Sequence, residues 1–333
     1  MKHSLWLAVL LVALPSAHAE KSFVVDSSAP ACRSLVPTAV GGPKPPDGML
    51  TIRWLGTTNY EIAYGDLVLL LDAYYDRGPR NRPIGFLPTD VKRADAIFVG
   101  HAHYDHMSDA ASVANQTGAP VIGAPTVTET AISLGLPEKQ AVTVRGGEVL
   151  KYKGFTVEAI LARHSSLEPE VLDAFRKAIT VATGAPTSDE AAAEAAVLKR
   201  GTFDPKVITE GTIAYLFTFD NGMRLIFRNS AGPITDAERA VMKRIGSTDI
   251  AIVGYIGQYV AKRQIAATLP IIKLYNPRLY LPGHHDEIAG TFVDIGLEPL
   301  FMAIRDQMPG TSALSPLYRE PVCVDMRKIT RRN

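Results

Sequence analysis

From Leu50 onward the chain reads as short apolar runs separated by turn residues, with a strand-like period more often than a helical one. Leu50–Leu55 alternates in part and is rich in strand formers. Tyr60–Tyr64 and Leu67–Leu71 predict two more strands, divided by the turn pair Gly65-Asp66. Leu67–Leu71 is apolar on both sides, which predicts a central position in a sheet. Asp95–Val99 predicts a buried strand that runs directly into His101. Helices are expected at about Ser108–Thr117 and Thr126–Leu134, with a short strand at Val121-Ile122 between them. Strands at Ala141–Val144 and Phe155–Ile160 follow, the second leading to His164. Further on, Thr212–Phe219 and Met223–Phe227 flank Asp220-Asn221-Gly222, a strong hairpin signal. Thr235 and Glu238 cap a helix, Asp249–Val253 is another buried strand, and a helix is expected at Ala261–Leu269. Leu279–Leu281 then runs into Pro282-Gly283-His284-His285. Strand and helix alternate, with added hairpins, which is the pattern of an α/β layered fold.

Two stretches break this rhythm. Residues 167–210 predict a helical insertion, with helices at about Pro169–Thr183 and Asp189–Lys199. Thr187 and Glu190 form a capping box for the second, which ends before Gly201. Lying over one edge of the site, the segment suits a lid as well as a solvated helical hairpin. Residues 20–48, rich in Pro, Ser and Ala, read as an irregular lead-in.

The first 19 residues have the order of a secretory signal peptide: Lys2 and His3, the apolar run Leu5–Leu14, then Ala17-His18-Ala19. The competing reading is a membrane anchor, but the run is far shorter than the ~20 residues that span a bilayer. The expectation is cleavage after Ala19, a periplasmic or secreted location, and one domain over residues 20–333 with no membrane span. Export gives the two cysteines a meaning. In an oxidising compartment Cys32 and Cys323 are expected to pair, the alternative being two unrelated buried thiols. So long a loop would contribute roughly 4–5 kcal/mol in the chain-entropy view.

Composition narrows the function. A chain that is 47% hydrophobic and 21% charged is neither collagen-like nor disordered nor a disulfide framework. A formal net charge of +1 offers no broad attraction for nucleic acid or anionic lipid, so a small-molecule substrate is the expected partner.

The histidines carry the chemistry. Apart from His3 and His18 in the leader, each follows a predicted strand, and three fall in His101-Ala102-His103-Tyr104-Asp105-His106. His101 and His103 are two apart, so in extended backbone they point to one side. Asp105 and His106 come where the chain turns into a helix and adjacent residues diverge by about 100°. One segment can therefore feed two neighbouring ions, and imidazole and carboxylate are the expected ligands of zinc. Two more ligands are needed, and His164 and His284 are the sensible supply.

This pattern resembles the metallo-β-lactamase superfamily over roughly residues 50–292. Gly56 to Asp72 and the runs GHAHYDHMSD, EAILARHSS, TDIAIVGYIGQY and PRLYLPGHHDE are most similar to its ascorbate-6-phosphate lactonase-like and N-acylphosphatidylethanolamine phospholipase D-like branch. The resemblance implies a four-layer αββα sandwich with metals at one edge between the sheets. It implies that His101, His103 and His164 hold one zinc ion and that Asp105, His106 and His284 hold a second. One departure matters. The family's usual Gly-Asp, whose Asp bridges the ions, is replaced here by Asn229-Ser230, with Ser230 in the carboxylate's place. Two ions joined only by water, or one ion with a weak second site, are both compatible with that change. Asn229 is alternatively a donor to a substrate oxygen. Asp72 matches a position expected to orient a ligand histidine, a plain strand-ending Asp being the alternative. His285 is either a solvent-facing neighbour or a substrate contact.

The reading that follows is an exported zinc-dependent hydrolase. A metal-bound hydroxide would attack an ester, lactone or phosphodiester centre, and Asp105 would orient the nucleophile and take up its proton. The alternatives are a β-lactamase or other amide hydrolase, and a non-catalytic metal-binding protein with a degenerate second site.

Overall fold

Strands that are apolar on both sides must be covered on both faces, and the chain meets this by stacking two sheets between layers of helices. The computed structural model describes residues 23–329 apart from 166–172, 174–176, 178–179, 203, 256–260 and 289. The expected leader and part of the expected insertion lie outside the described residues.

β1 (Met49–Trp54), β2 (Tyr60–Tyr64) and β3 (Leu67–Leu71) form an antiparallel meander. β4 (Ala96–Phe98), β5 (Val121–Gly123) and β6 (Ala141–Thr143) extend it in parallel. The second sheet begins with antiparallel β7 (Val149–Tyr152), β8 (Phe155–Ala162), β9 (Thr212–Phe219) and β10 (Arg224–Arg228). It continues in parallel through β11 (Ile250–Gly254) and β12 (Leu279–Gly283). After a small hairpin of β13 (Glu287–Ile288) and β14 (Thr291–Phe292), β15 (Ser312–Ala313) pairs with β12. β16 (Pro321–Asp325) returns to the first sheet, antiparallel to β1. The orders are β16-β1-β2-β3-β4-β5-β6 and β15-β12-β11-β10-β9-β8-β7, so β3 is central as its sequence predicts.

Among the described residues the α-helices with defined bounds are α1 (Tyr104–Met107), α2 (Ala110–Thr117), α3 (Pro125–Ser133), α4 (Ser188–Leu198), α5 (Lys206–Glu210), α6 (Asp236–Ile245), α7 (Ala261–Tyr275) and α8 (Glu298–Gln307). Alternation along the strands sorts the side chains between them. Leu225, Phe227, Ile250, Ile252, Leu279 and Leu281 join Leu50, Ile52 and Leu69 of the facing sheet in one core. Their neighbours Ile226, Ala251, Val253 and Tyr280 turn the other way, onto Met242 of α6, Ile272 of α7 and Ile304 of α8. On the opposite side α2 and α3 pack on β5 and β6. This is the four-layer αββα sandwich that the sequence resemblance implies.

Several elements go beyond expectation. β16, not expected from the sequence, opens with a proline; its pairing with β1 makes it a strand. α7 runs through Pro270 to Tyr275, beyond its expected end. The lost hydrogen bond is offset by burial of Ile271, Ile272 and Tyr275. The lead-in is irregular but fixed: Val24 bridges to Val324, and Cys32 is disulfide-bonded to Cys323. Beneath it the fully buried Arg53 and Glu61 pair at 3.2 Å, and Glu61 accepts the Thr38 and Ala39 N–H groups at 2.9 and 2.7 Å. Among the described residues no helix is long and apolar enough to cross a membrane.

Candidate metal centre

Each expected site residue follows directly on a strand end. Asp72 follows β3, His101–His106 follow β4, His164 follows β8, Asn229 and Ser230 follow β10, and His284 follows β12. In parallel α/β architectures ligand sites collect outside such carboxyl ends. The turns are tight. Asp72 and His284 adopt left-handed backbone, at φ 56° and 63°. Such positions cost on the order of 1–3 kcal/mol each and persist only where the surroundings enforce them. Here the His284 N–H donates to the Thr57 carbonyl at 2.7 Å, and the Thr57 N–H donates to Asp286 Oδ1 at 2.9 Å.

The six expected ligands converge as two triads, His101–His103–His164 and Asp105–His106–His284. Within each triad one ligand atom per residue lies within 4.8 Å of the others. His101 Nε2 is 3.0 Å from His103 Nδ1, and Asp105 Oδ2 is 2.9 Å from His284 Nε2 and 3.4 Å from His106 Nε2. Two donors on a tetrahedral ion at ~2.0–2.1 Å stand about 3.3 Å apart, so these pairs have the spacing one zinc-sized ion requires. The His101 and His106 ring centroids are 4.2 Å apart, which places the triads side by side.

A ring of buried partners aims the imidazoles. His106 Nδ1 meets Asp72 Oδ2 at 2.8 Å and His101 Nδ1 meets Asn229 Oδ1 at 3.1 Å, leaving both Nε2 atoms for the triads. Asp72 also accepts from Thr58 Oγ1 at 2.7 Å, the Gly100 N–H at 3.0 Å and Asn229 Nδ2 at 3.1 Å. A Cβ on Gly100 would fall 2.2 Å from Asn229 Cγ, so the glycine is what lets Asn229 reach across. The fully buried Asn229 amide is thus occupied by Asp72 and His101, which corrects its reading as a donor to substrate. Ser230 Oγ accepts the Ser165 N–H at 2.9 Å and fixes the chain just past His164. His285 is buried, with its ring stacked on Trp54 at 4.3 Å, which corrects its reading as a solvent-facing neighbour.

Sequence reasoning missed Thr58 and Glu287. Thr58 sits in a β-hairpin turn with nothing to mark it, whereas Glu287 closes the run PGHHDE and was visible as an acid three residues after the expected ligand His284. The insertion ends on the histidine motif. Val197 of α4 packs with Tyr74 and Tyr104, and the Thr202 N–H donates to the Ala102 carbonyl at 2.9 Å.

Electrostatics suit a cation. Burial pushes His103 down to about 4 and His164 to about 3, so both offer neutral lone pairs at pH 7. Burial opposes the Asp105 charge, but His106 and His284 hold its carboxyl well below the usual carboxylate range. Burial also lowers His284, yet the hydrogen bond and charge of Asp105 lift it to about 9. The sign of the pH dependence follows. His103, His164 and His285 (about 4) have folded values below the unfolded ~6.5, so their contribution is complete above that pH and is lost as pH falls toward 4. His284, raised, contributes fully throughout that window and loses its contribution only as pH rises toward 9. Chelator-treated protein should therefore show a urea midpoint that declines steadily from pH 6.5 to 4. A flat midpoint over that range would show that the imidazoles are not buried as neutral groups.

Comparison with known proteins agrees with this geometry. The family model for the β-lactamase superfamily domain matches residues 68–285, which includes all six residues of the two triads. A metal-dependent hydrolase of Cupriavidus taiwanensis is 27% identical over 265 residues, covering 78% of this chain and 82% of its own. A metal-dependent hydrolase of Methanobrevibacter smithii is 24% identical over 255 residues, covering 76% and 87%. Among solved structures, a metallo hydrolase of Ignicoccus hospitalis superposes with a TM-score of 0.56 at 16% identity, over 83% of this chain and 98% of that one. An isothiocyanate hydrolase from Delia radicum gut bacteria superposes with a TM-score of 0.52 at 13% identity, over 82% and 98%. Fold, paired triads and relatives lead to one conclusion: the chain belongs to the metallo-β-lactamase superfamily, as a metal-dependent hydrolase.

Proposed function

We propose that the two triads hold two zinc ions and that the protein hydrolyses an ester, lactone or phosphodiester bond of a small molecule. The observation that carries this reading is the pair of three-donor sets, each closed to within 4.8 Å and set side by side. Imidazoles with one carboxylate are a zinc-type donor set, and three protein donors per ion leave positions open. When bound, such ions supply Lewis-acid polarisation of the scissile group and lower the pKa of water. The chain's own residues do the rest. Asp72 and Asn229 keep the Nε2 atoms of His106 and His101 aimed inward, Ser230 steadies the segment after His164, and Asp105 accepts the proton released by the attacking water. Water then supplies the new oxygen to the acyl or phosphoryl centre, and the alcohol leaves with a proton. The leader at residues 1–19 and the Cys32–Cys323 bond support placing the protein in the periplasm or outside the cell.

Metal analysis of the purified protein, paired with a panel of lactones, phosphodiesters and β-lactams, tests this directly. The expected result is zinc near two per chain and turnover on a lactone or phosphodiester. Turnover confined to β-lactams would replace the proposed bond type, and protein that binds no zinc would end the reading.

A further inference from the structure

The Asp105–His106–His284 triad is assembled from two segments far apart in the chain, α1 and the turn after β12. Beside it lies a contact between those same segments. Tyr104, held in α1 between His103 and Asp105, donates its hydroxyl to Glu287 Oε1 at 3.0 Å. Glu287 lies in β13, just past His284, and the Gly290 N–H donates to the same oxygen. Both side chains are buried, Glu287 completely, and Glu287 Oε2 has no hydrogen-bond partner among the described residues. The arrangement is rigid on each side. The Tyr104 ring meets Tyr74 edge-on at 5.7 Å and packs with Val197, while Asp286, next to Glu287, is held by Arg77 Nη1 at 2.7 Å and by the Thr57 N–H. A buried carboxyl group with one oxygen unsatisfied is costly. The pair links α1 to the segment just past His284.

We propose that the Tyr104–Glu287 hydrogen bond is a strut that positions the second triad, setting the affinity of its ion while leaving the first triad's ion unaffected. The first triad draws on residues 101–103 and on His164, none of which lies in the His284 segment, so losing the strut leaves its geometry in place. Tyr104 and Glu287 are positioning residues: they act through Asp105 and His284. The proposal rests on the reading of the six side chains as ligands of two ions.

Competitive chelator titration of the zinc-loaded protein tests it, with each ion's release followed separately. Tyr104→Phe keeps the ring against Tyr74 and removes only the hydroxyl, so the fold is retained. Partners that orient ligands typically change metal affinity by 10–100-fold. For this more distant contact the expected result is one ion bound about 10-fold more weakly and the other unchanged. Glu287→Gln retains an oxygen for the Tyr104 and Gly290 donors and should hold both ions as wild type does, whereas Glu287→Ala should behave like Tyr104→Phe. Combining Tyr104→Phe with Glu287→Ala should add no further loss, because both remove the same contact. Unchanged titration of Tyr104→Phe, equal weakening of both ions, or a Glu287→Gln as impaired as Glu287→Ala would each overturn the strut while leaving the two-ion reading intact. Wild-type protein that holds fewer than two ions would overturn that reading, and the strut with it.

Discussion

On the proposed two-zinc reading, Asp105→Asn should release one of the two ions and lower turnover by more than about 100-fold, while the other ion stays in place. Replacing an outer partner of a ligand costs roughly 10–100-fold, and a direct ligand exceeds that. Asp105 is also the one carboxylate in either triad, and its Oδ2 lies within 3.4 Å of two imidazole nitrogens at once. Substitution by the amide keeps the volume and removes the charge, so the loss reads electrostatics and proton acceptance rather than packing. The same charge lifts His284 to about 9, so the variant's His284 should titrate lower once metal is stripped. Measurement of zinc per chain and of turnover on the responsive panel substrate decides the matter. Full retention of two ions with near-normal turnover would remove Asp105 from the centre.

The second large effect is on stability and lies far from the metals. Glu61→Ala should destabilise the protein by about 3–5 kcal/mol, the range for breaking a buried ion pair by deleting one partner. Arg53 and Glu61 are both fully buried, and burial pulls each toward its neutral form. Without Glu61 the Arg53 guanidinium keeps the Ala31 carbonyl and Thr51 Oγ1 but loses its counter-charge. The Thr38 and Ala39 N–H groups lose their acceptor as well, so the lead-in should loosen over β2. Replacing Arg53 and Glu61 together by Met and Leu should recover most of the loss, because an apolar pair leaves no uncompensated charge. Urea denaturation of the three proteins measures this; a Glu61→Ala midpoint equal to wild type would show that the pair is not desolvated in solution.

The amino-acid sequence by itself determined the parts of this protein that depend on local periodicity and on ligand type. Leu67–Leu71 could only be a central strand because it is apolar on both sides, and the hairpin at Asp220-Asn221-Gly222 follows from residues that accept the turn's backbone. The six side chains that converge as two triads were legible because imidazole and carboxylate at that spacing, close to strand ends, have few other uses. Only the tertiary structure decided what depends on residues distant in the chain. β16 is a strand because β1 offers an unpaired edge, not because Pro321–Asp325 favours one. Asn229 and Asp72 became partners of His101 and His106 because β3, β4 and β10 end at the same place. His285, next to His284, stacks on Trp54 after the left-handed turn at His284. Local pattern states which face of an element is apolar; which polar groups meet across the sandwich is fixed by burial, since a donor or acceptor shut away from water must find a partner wherever the packed chain supplies one.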